Sequence, residues 1–219
     1  MLFDWEFALE ILPRLAQAAI VTIEATFVGF ALAAVLGLAL ALLRRSENPW
    51  VSLSTAGFVE FIRSTPVLIQ IFFMFYVFPQ FGIVIPAFLA GVLALGIHYA
   101  SYCSEVYRAG LESIPRGQWE ASVALNLSPS RTYTDIIIPQ AIPPVVPALG
   151  NYLIGMFKET PLLSAIAVLE LMQTAKIIGS ETFRYVEPIT MVGLFFLIMS
   201  LVSAVGVRRV EWWLKTRRG

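Results

Sequence analysis

Charged and polar side chains are scarce in this chain, so the few that interrupt apolar runs are the candidates for chemistry. Lys158, Glu159 and Thr160 stand together just ahead of Pro161. An ionisable group inside a hydrocarbon span is costly unless it is paired or wetted, which makes it a functional candidate by default. Helix neighbours point about 100° apart, so Lys158 and Glu159 are poorly placed to neutralise each other. Pro161 cannot donate to the carbonyl of Phe157 and should break or kink the helix there. A broken span beside two charges is how a polar pathway is built; the competing reading is a structural pair bridging two spans or two subunits. A second set, Arg63, Ser64, Thr65 and Gln70, surrounds Pro66. Hydroxyls before a proline can serve the interrupted backbone, and Gln70 sits one turn deeper. A positive anchor plus a helix N-cap also explains Arg63, Ser64 and Thr65, but not Gln70, which is the stronger pathway candidate. Glu24 and the single His98 are isolated; a lone His is more often a satisfied core residue, and Glu24 fits the outer interface.

Catalytic patterns are missing. There is no G-x-x-x-x-G-K-[ST] loop, no Gly-Lys dipeptide, no H-E-x-x-H and no G-x-S-x-G. His98 and Cys103, five residues apart on one apolar run, make a poor metal site or dyad. Cys103 reads as a small apolar residue. The sequence therefore points away from an enzyme; if the chain serves active transport, the energy must come from another polypeptide.

The elements that position these residues follow from composition. Of 219 residues, 58% are apolar and 14% charged, with a mean hydropathy of +0.78. A soluble domain carries about 25% charged residues. At about 20 apolar residues per crossing, the length allows roughly five spans. Five runs stand out: Gln17–Leu43, Pro66–Ile85, Ala87–Val106, Pro147–Val168 and Pro188–Val207. The fold class expected is an all-α integral membrane protein of one domain, residues 1–219, without internal repeats. Lys plus Arg and Asp plus Glu balance at 15 each, which gives no basis for a nucleic-acid partner. Asp4, Glu6 and Glu10 occupy the place of a basic n-region, so the first run is expected to be a span rather than a signal peptide.

Orientation follows from the basic residues. With the C-terminus cytoplasmic, Arg44, Arg45, Arg63, Arg108, Arg116, Arg131, Arg208, Arg209, Lys215, Arg217 and Arg218 fall inside. Arg14, Lys176 and Arg184 fall outside, a bias of eleven to three. The stretch Arg108–Gln140 is then a cytoplasmic loop. The tail from Arg208 to Arg218 reads as an interfacial anchor on membrane lipid.

Within that loop Trp119, Val123 and Leu127 recur at i, i+4 and i+8, one helical face. Ser128 reads as an N-cap with Pro129 at the first helical position. A second short helix is expected from there to Pro139, with Pro139, Pro143, Pro144 and Pro147 preventing one continuous helix into the fourth span. Two short helices around a tight turn make a knob able to dock in a partner's groove, or simply lie against the bilayer.

The run Glu120-Ala121-Ser122, then Asn126, then Ile136-Ile137-Ile138-Pro139 resembles the EAA loop of ABC-importer permeases. Its flanks, Arg116-Gly117-Gln118-Trp119 and Pro139-Gln140-Ala141, are similar to those of the polar amino acid uptake permeases. Phe61-Ile-Arg-Ser-Thr-Pro-Val-Leu-Ile-Gln70 and Phe157-Lys-Glu-Thr-Pro-Leu-Leu-Ser164 agree. With these, Pro147-Ala-Leu-Gly-Asn-Tyr152 and Ile178-Gly-Ser-Glu-Thr-Phe-Arg-Tyr185 look most like permeases for ectoine and hydroxyectoine. The resemblance implies that Gln118, Trp119, Glu120, Ala121, Ser122, Asn126 and Leu127 form an ATPase-coupling surface. It also implies an ABC ATPase pair that binds ATP and Mg, a second permease (a sister or itself), and an extracytoplasmic solute-binding protein. The location implied is the bacterial cytoplasmic membrane. Family loops usually place Gly where this chain has Asn126; Asn tolerates a positive φ next best, so the turn should survive. On this reading Gln70, Lys158, Glu159, Thr160, Arg63 and Thr65 line the route of a small zwitterion: ectoine or hydroxyectoine, or alternatively a polar amino acid. The readings from other classes are an ATPase-independent carrier or channel and, more distantly, a membrane enzyme.

Overall fold

The computed structural model describes residues 3–216, and no strand occurs among them. Arg217, Arg218 and the Lys215 side chain, counted above in the basic tail, lie outside that description. Helix α1 spans Trp5–Arg44 and begins on Asp4, whose carboxylate accepts from the N–H groups of Glu6 and Phe7. At 1.5 Å per residue its 40 residues reach about 60 Å, more than a bilayer's thickness. It starts twelve residues before the apolar run expected from Gln17, because the cap and the N-terminal half of the helix pack on a second core.

Helix α2 (Pro49–Ser64) follows an Asn48 cap. It ends at Thr65, and α3 (Val67–Phe72) runs on through a wide π turn at Phe73–Val77 and a 3-10 turn at Phe78–Phe81. Gly82, at φ 79°, closes that segment. The two halves meet at a bend of 101°. The expected second span is thus half of a broken pair, because Pro66 interrupts the ladder and the upstream half is itself helical.

Helix α4 is Ala87–Glu112 and α5 is Arg116–Ala124. A short α6 (Pro129–Arg131) passes through a π turn, Thr132–Ile137, into α7 (Ile138–Glu159). The helix expected to stop before Pro139 does not stop. Pro143, Pro144 and Pro147 lie inside α7. Pro139, Pro143 and Pro147 are four apart, so their missing hydrogen bonds fall on one face, and the wide turn just upstream accommodates the first ring. After Glu159 the chain tightens into 3-10 turns over Thr160–Ile166, the break expected at Pro161. Helix α8 (Leu171–Thr182), which the hydropathy did not reveal, and α9 (Val186–Thr216) complete the chain. Among the described residues four helices are long and apolar enough to cross a membrane, or five if the bent pair counts as one span.

The bundle closes on a small-residue seam. Ala25, Gly29, Ala33, Gly37 and Ala41 recur every fourth residue and are buried. They face α4, where a Cβ added at Gly37 would lie 2.6 Å from the Cβ of Cys103 and 2.9 Å from the Ala100 carbonyl. Such seams let helix backbones approach closely. Cys103 is a buried free thiol in this seam. The main core adds Leu95, Tyr99, Met156, Leu163 and Ile166. A second core joins the first third of α1 to α8 and α9 through Leu15, Leu171, Ile178 and Val192. Glu170, fully buried, caps α8 by accepting from the N–H groups of Met172 (2.9 Å) and Gln173 (2.7 Å), and burial pushes its carboxyl up to about 7.

Charges gather at the two ends. At one, Glu105 accepts from Arg44 and Arg108, with Arg63 at 3.9 Å. At the other, Arg14 pairs with Glu181 at 2.5 Å, and Arg184 bridges Asp4 (3.0 Å) and Glu187 (2.8 Å). Asp4 is held below its usual carboxylate range by the Phe7 N–H and by Arg184.

Candidate functional site

A polar and aromatic stripe runs down α4. His98, Tyr99, Tyr102 and Glu105 fall at i, i+1, i+4 and i+7, on one side of the helix. Tyr99 is twelve residues from the start of a 26-residue helix, close to its middle. Side chains from three other elements dock along the stripe. From α2, the Arg63 guanidinium lies over the Tyr102 ring at 5.3 Å. From α3, the Gln70 amide nitrogen approaches His98 Nδ1 at 3.1 Å. From α7, the Tyr152 ring packs on Tyr102 at 5.5 Å and on Tyr99 at 6.1 Å. Glu159 lies beside the Tyr99 hydroxyl, and its Oε2 is buried without a hydrogen-bond partner.

Gln70 also closes the break at Pro66. Its amide donates to the carbonyl of Thr65 (3.0 Å) and to that of Ile62 (2.8 Å), which Pro66 cannot serve and which keeps only a long bond from the Thr65 N–H (3.3 Å). The Thr65 hydroxyl donates back to Phe61 O at 2.8 Å. Beside the break lies a cavity of about 250 Å³ lined chiefly by apolar groups, with Thr65 and Gln70 among them.

Of the pathway candidates, Arg63, Thr65, Gln70 and Glu159 belong to this connected chain. Thr160 is buried next to it and donates to Phe157 O at 2.7 Å. Lys158 is not part of the chain. It leaves α7 on another side, exposed in a groove with Gly193, Leu197 and Ser200 of α9. His98, read above as a core histidine, is buried and also bonded into the chain. Tyr99, Tyr102, Tyr152 and Glu105 were not singled out from the sequence. Their signal was present: polar and aromatic residues three and four apart around a histidine, inside an apolar span. Together the stripe can hold a cation at Glu159 and an anion at Arg63, with tyrosine faces between them. Among the described residues no His, Cys, Asp and Glu cluster could hold a metal ion.

The loop between α4 and α7 has a defined cap. Asn126 sits at φ 53°, Leu127 N–H donates to Ser122 O at 3.0 Å, and Asn126 N–H donates to Val123 O at 2.9 Å. This is a Schellman motif with Asn in the left-handed position. The Ser122 hydroxyl is turned inward to Gln118 O (2.8 Å), and Gln118 accepts from Gln140 of α7 at 3.2 Å. Trp119 packs edge-on against Tyr133 with centroids 5.4 Å apart. Glu120 and Ala121 are exposed, as are Val123 and Leu125. Trp119, Glu120, Val123 and Leu127 share one open groove with Pro129 and Tyr133. An exposed carboxylate beside exposed apolar groups on a rigid short helix is suited to docking.

Residues 29–215 match the family described as binding-protein-dependent transport system inner membrane component. The chain is 49% identical over 216 residues to the probable amino-acid ABC transporter permease protein y4tG of Sinorhizobium fredii, covering 95% of this chain and 94% of that one. It is 35% identical over 222 residues to the nopaline transport system permease protein NocM of Agrobacterium fabrum, covering 96% and 92%. Among solved structures, an amino acid ABC transporter crystallised with histidines superposes with a TM-score of 0.91 at 34% identity. That match covers 96% of this chain and 99% of the other.

Proposed function

The chain belongs to the family of binding-protein-dependent transport system inner membrane components, and on that premise we propose that it is the permease subunit of an ATP-driven importer for a polar amino acid. It is a multi-pass inner membrane protein and not itself an enzyme. The observation that carries the solute class is the α4 stripe, with Arg63 and Glu159 of opposite sign and tyrosine faces between, matched to a small zwitterion. Of the proteins named above, y4tG and the solved transporter are amino-acid transporters by name, which favours an amino acid over the ectoines suggested by Phe157-Lys-Glu-Thr-Pro and its companion segments.

Partners follow from the same reading. An ABC ATPase pair binds ATP and Mg and seats α5, with Glu120 and Ala121 in the contact and Asn126 setting the turn. A second permease, a sister or a copy of this chain, completes the pair. An extracytoplasmic solute-binding protein delivers solute to the end bearing Arg14 and Arg184. Closure of the ATPases moves α5, and α5 moves the bundle between outward and inward states. Lys158, off the stripe, would contribute only if solute also travels between α7 and α9.

The test is a mild-detergent pull-down of the tagged chain with its natural neighbours, followed by uptake in liposomes. An ATPase should co-purify and be lost with Glu120→Arg. Glu159→Gln should impair uptake while assembly stays intact. Polar amino acids should compete for uptake better than ectoine; the reverse order would restore the ectoine reading. A chain that purifies alone and still conducts solute would be an ATPase-independent carrier.

A further inference from the structure

We infer that Arg45, through the ring of Trp119, is a positioning residue that carries movement of α5 to the corner between α1 and α2. This rests on the importer reading above and deepens it. Helix α5 has one obvious mechanical seat. A small core of Ile114, Ile137 and Ala141, with Trp119 and Tyr133 packed against it, ties α5 to the end of α4 and the foot of α7. That core does not include α1 or α2. Trp119 nevertheless has a second neighbour: the Arg45 guanidinium carbon lies 6.0 Å from its ring centroid. A cation over an indole face is attracted by the ring quadrupole, and indole is the best of the aromatic faces for this.

Arg45 is free to make that contact. Arg44 beside it is committed to Glu105, whereas Arg45 forms no ion pair among the described residues. Its backbone is fixed as the C-cap of α1: the Arg45 N–H donates to Leu42 O and the Ser46 N–H to Leu43 O, both at 3.1 Å. The corner beyond it is also tied: the Ser52 hydroxyl of α2 donates to Arg44 O at 2.7 Å, and Asn48 caps α2. Helix α2 is therefore a short lever. The corner at its near end, held by Arg45 at the close of α1, meets α5 through Trp119. Its far end carries Arg63, which lies on Tyr102, and the Pro66 break that Gln70 bridges. A displacement of α5 thus has two outputs: one into α4 and α7 through the small core, the other along α2 to the polar stripe.

The experiment uses the whole transporter in liposomes, with ATP hydrolysis and solute uptake recorded together. Arg45→Gln should leave ATPase co-purification and hydrolysis unchanged. Uptake per ATP should fall roughly threefold, the scale of an exposed cation–π contact. Arg45→Lys, which keeps a cation over the ring, should restore most of it. In a Trp119→Leu background, Arg45→Gln should have no further effect on the ratio. An unchanged ratio in Arg45→Gln overturns the inference. So does a loss that Arg45→Lys fails to restore, or one that adds fully to Trp119→Leu. If the unaltered complex shows no ATP-driven uptake at all, the importer reading itself fails, an outcome distinct from those.

Discussion

Gln70 and His98 meet across the break in the second span, with the Gln70 amide nitrogen 3.1 Å from His98 Nδ1. The same nitrogen faces two carbonyls, Ile62 O and Thr65 O, which can only accept. The amide must therefore point its NH2 group at them, and His98 must present an unprotonated Nδ1 to avoid opposing a donor. One side chain thus joins α2, α3 and α4, and it does so where the backbone is interrupted.

Replacing Gln70 by Leu keeps the bulk and removes both donors. The Thr65 carbonyl is left without its donor, while that of Ile62 keeps the longer bond from the Thr65 N–H (3.3 Å), so the loss is about 1–3 kcal/mol at most. Thermal unfolding in detergent should show a clearly lower midpoint than for the unaltered chain. An equal midpoint would mean that water replaces the amide without loss.

Asn126 holds the left-handed position of the loop turn. Asn126→Gly should be neutral or slightly stabilising, whereas Asn126→Val should strain the turn by about 1–2 kcal/mol. ATPase co-purification reads this out: Gly retains the partner, and Val loses it at lower detergent stringency. Equal retention would show that the turn does not set docking.

Gly37 and Gly57 should respond in opposite ways. Gly37→Val must displace Cys103 and the Ala100 carbonyl, both within 3 Å of the added Cβ, and overpacking of that kind costs about 1–3 kcal/mol. A Cβ at Gly57 of α2 meets nothing within 4 Å, so Gly57→Ala should stabilise that helix by up to about 1 kcal/mol. Unfolding midpoints of the two variants decide the matter.

Glu170 gives the chain a pH-dependent contribution. Burial raises its carboxyl from 4.5 to about 7, so the folded state binds the proton more tightly than the unfolded one. Its contribution to stability is fully present below pH 4.5 and is lost as pH rises through about 7. Glu170→Gln should flatten the unfolding midpoint across that window. A variant whose pH profile overlays that of the unaltered chain would assign the slope to other groups.

Much of the architecture was legible from the chain itself. The apolar runs marked the helices that cross, since the bilayer sets their length. The 3-10 break at Thr160–Ile166 was readable from Pro161, and the left-handed Asn126 from the glycine that the loops it resembles place there. The opposed arginine sets were visible as well, because charge in a thin apolar bundle must lie at the ends. The α4 stripe was half visible. Gln70 and Glu159 stood out as polar residues in apolar runs, whereas Tyr99, Tyr102 and Tyr152 did not, since tyrosine is unremarked in a span.

What the tertiary structure alone decided is where helices bend and what they meet. Pro66 bends its helix by 101°, yet Pro143, Pro144 and Pro147 leave α7 continuous. A proline removes a donor in either case; the outcome turns on whether the orphaned carbonyls find partners and the ring finds room, and both depend on neighbours. Gln70 satisfies the first break from beyond it, next to a histidine 28 residues away. Lys158 and Glu159, adjacent in sequence, part to different faces of α7, one to a groove and the other to Tyr99. Composition and periodicity determine which segments are helical and apolar. They carry no information on the angle at which two helices cross, and that angle selects which polar side chains share a site.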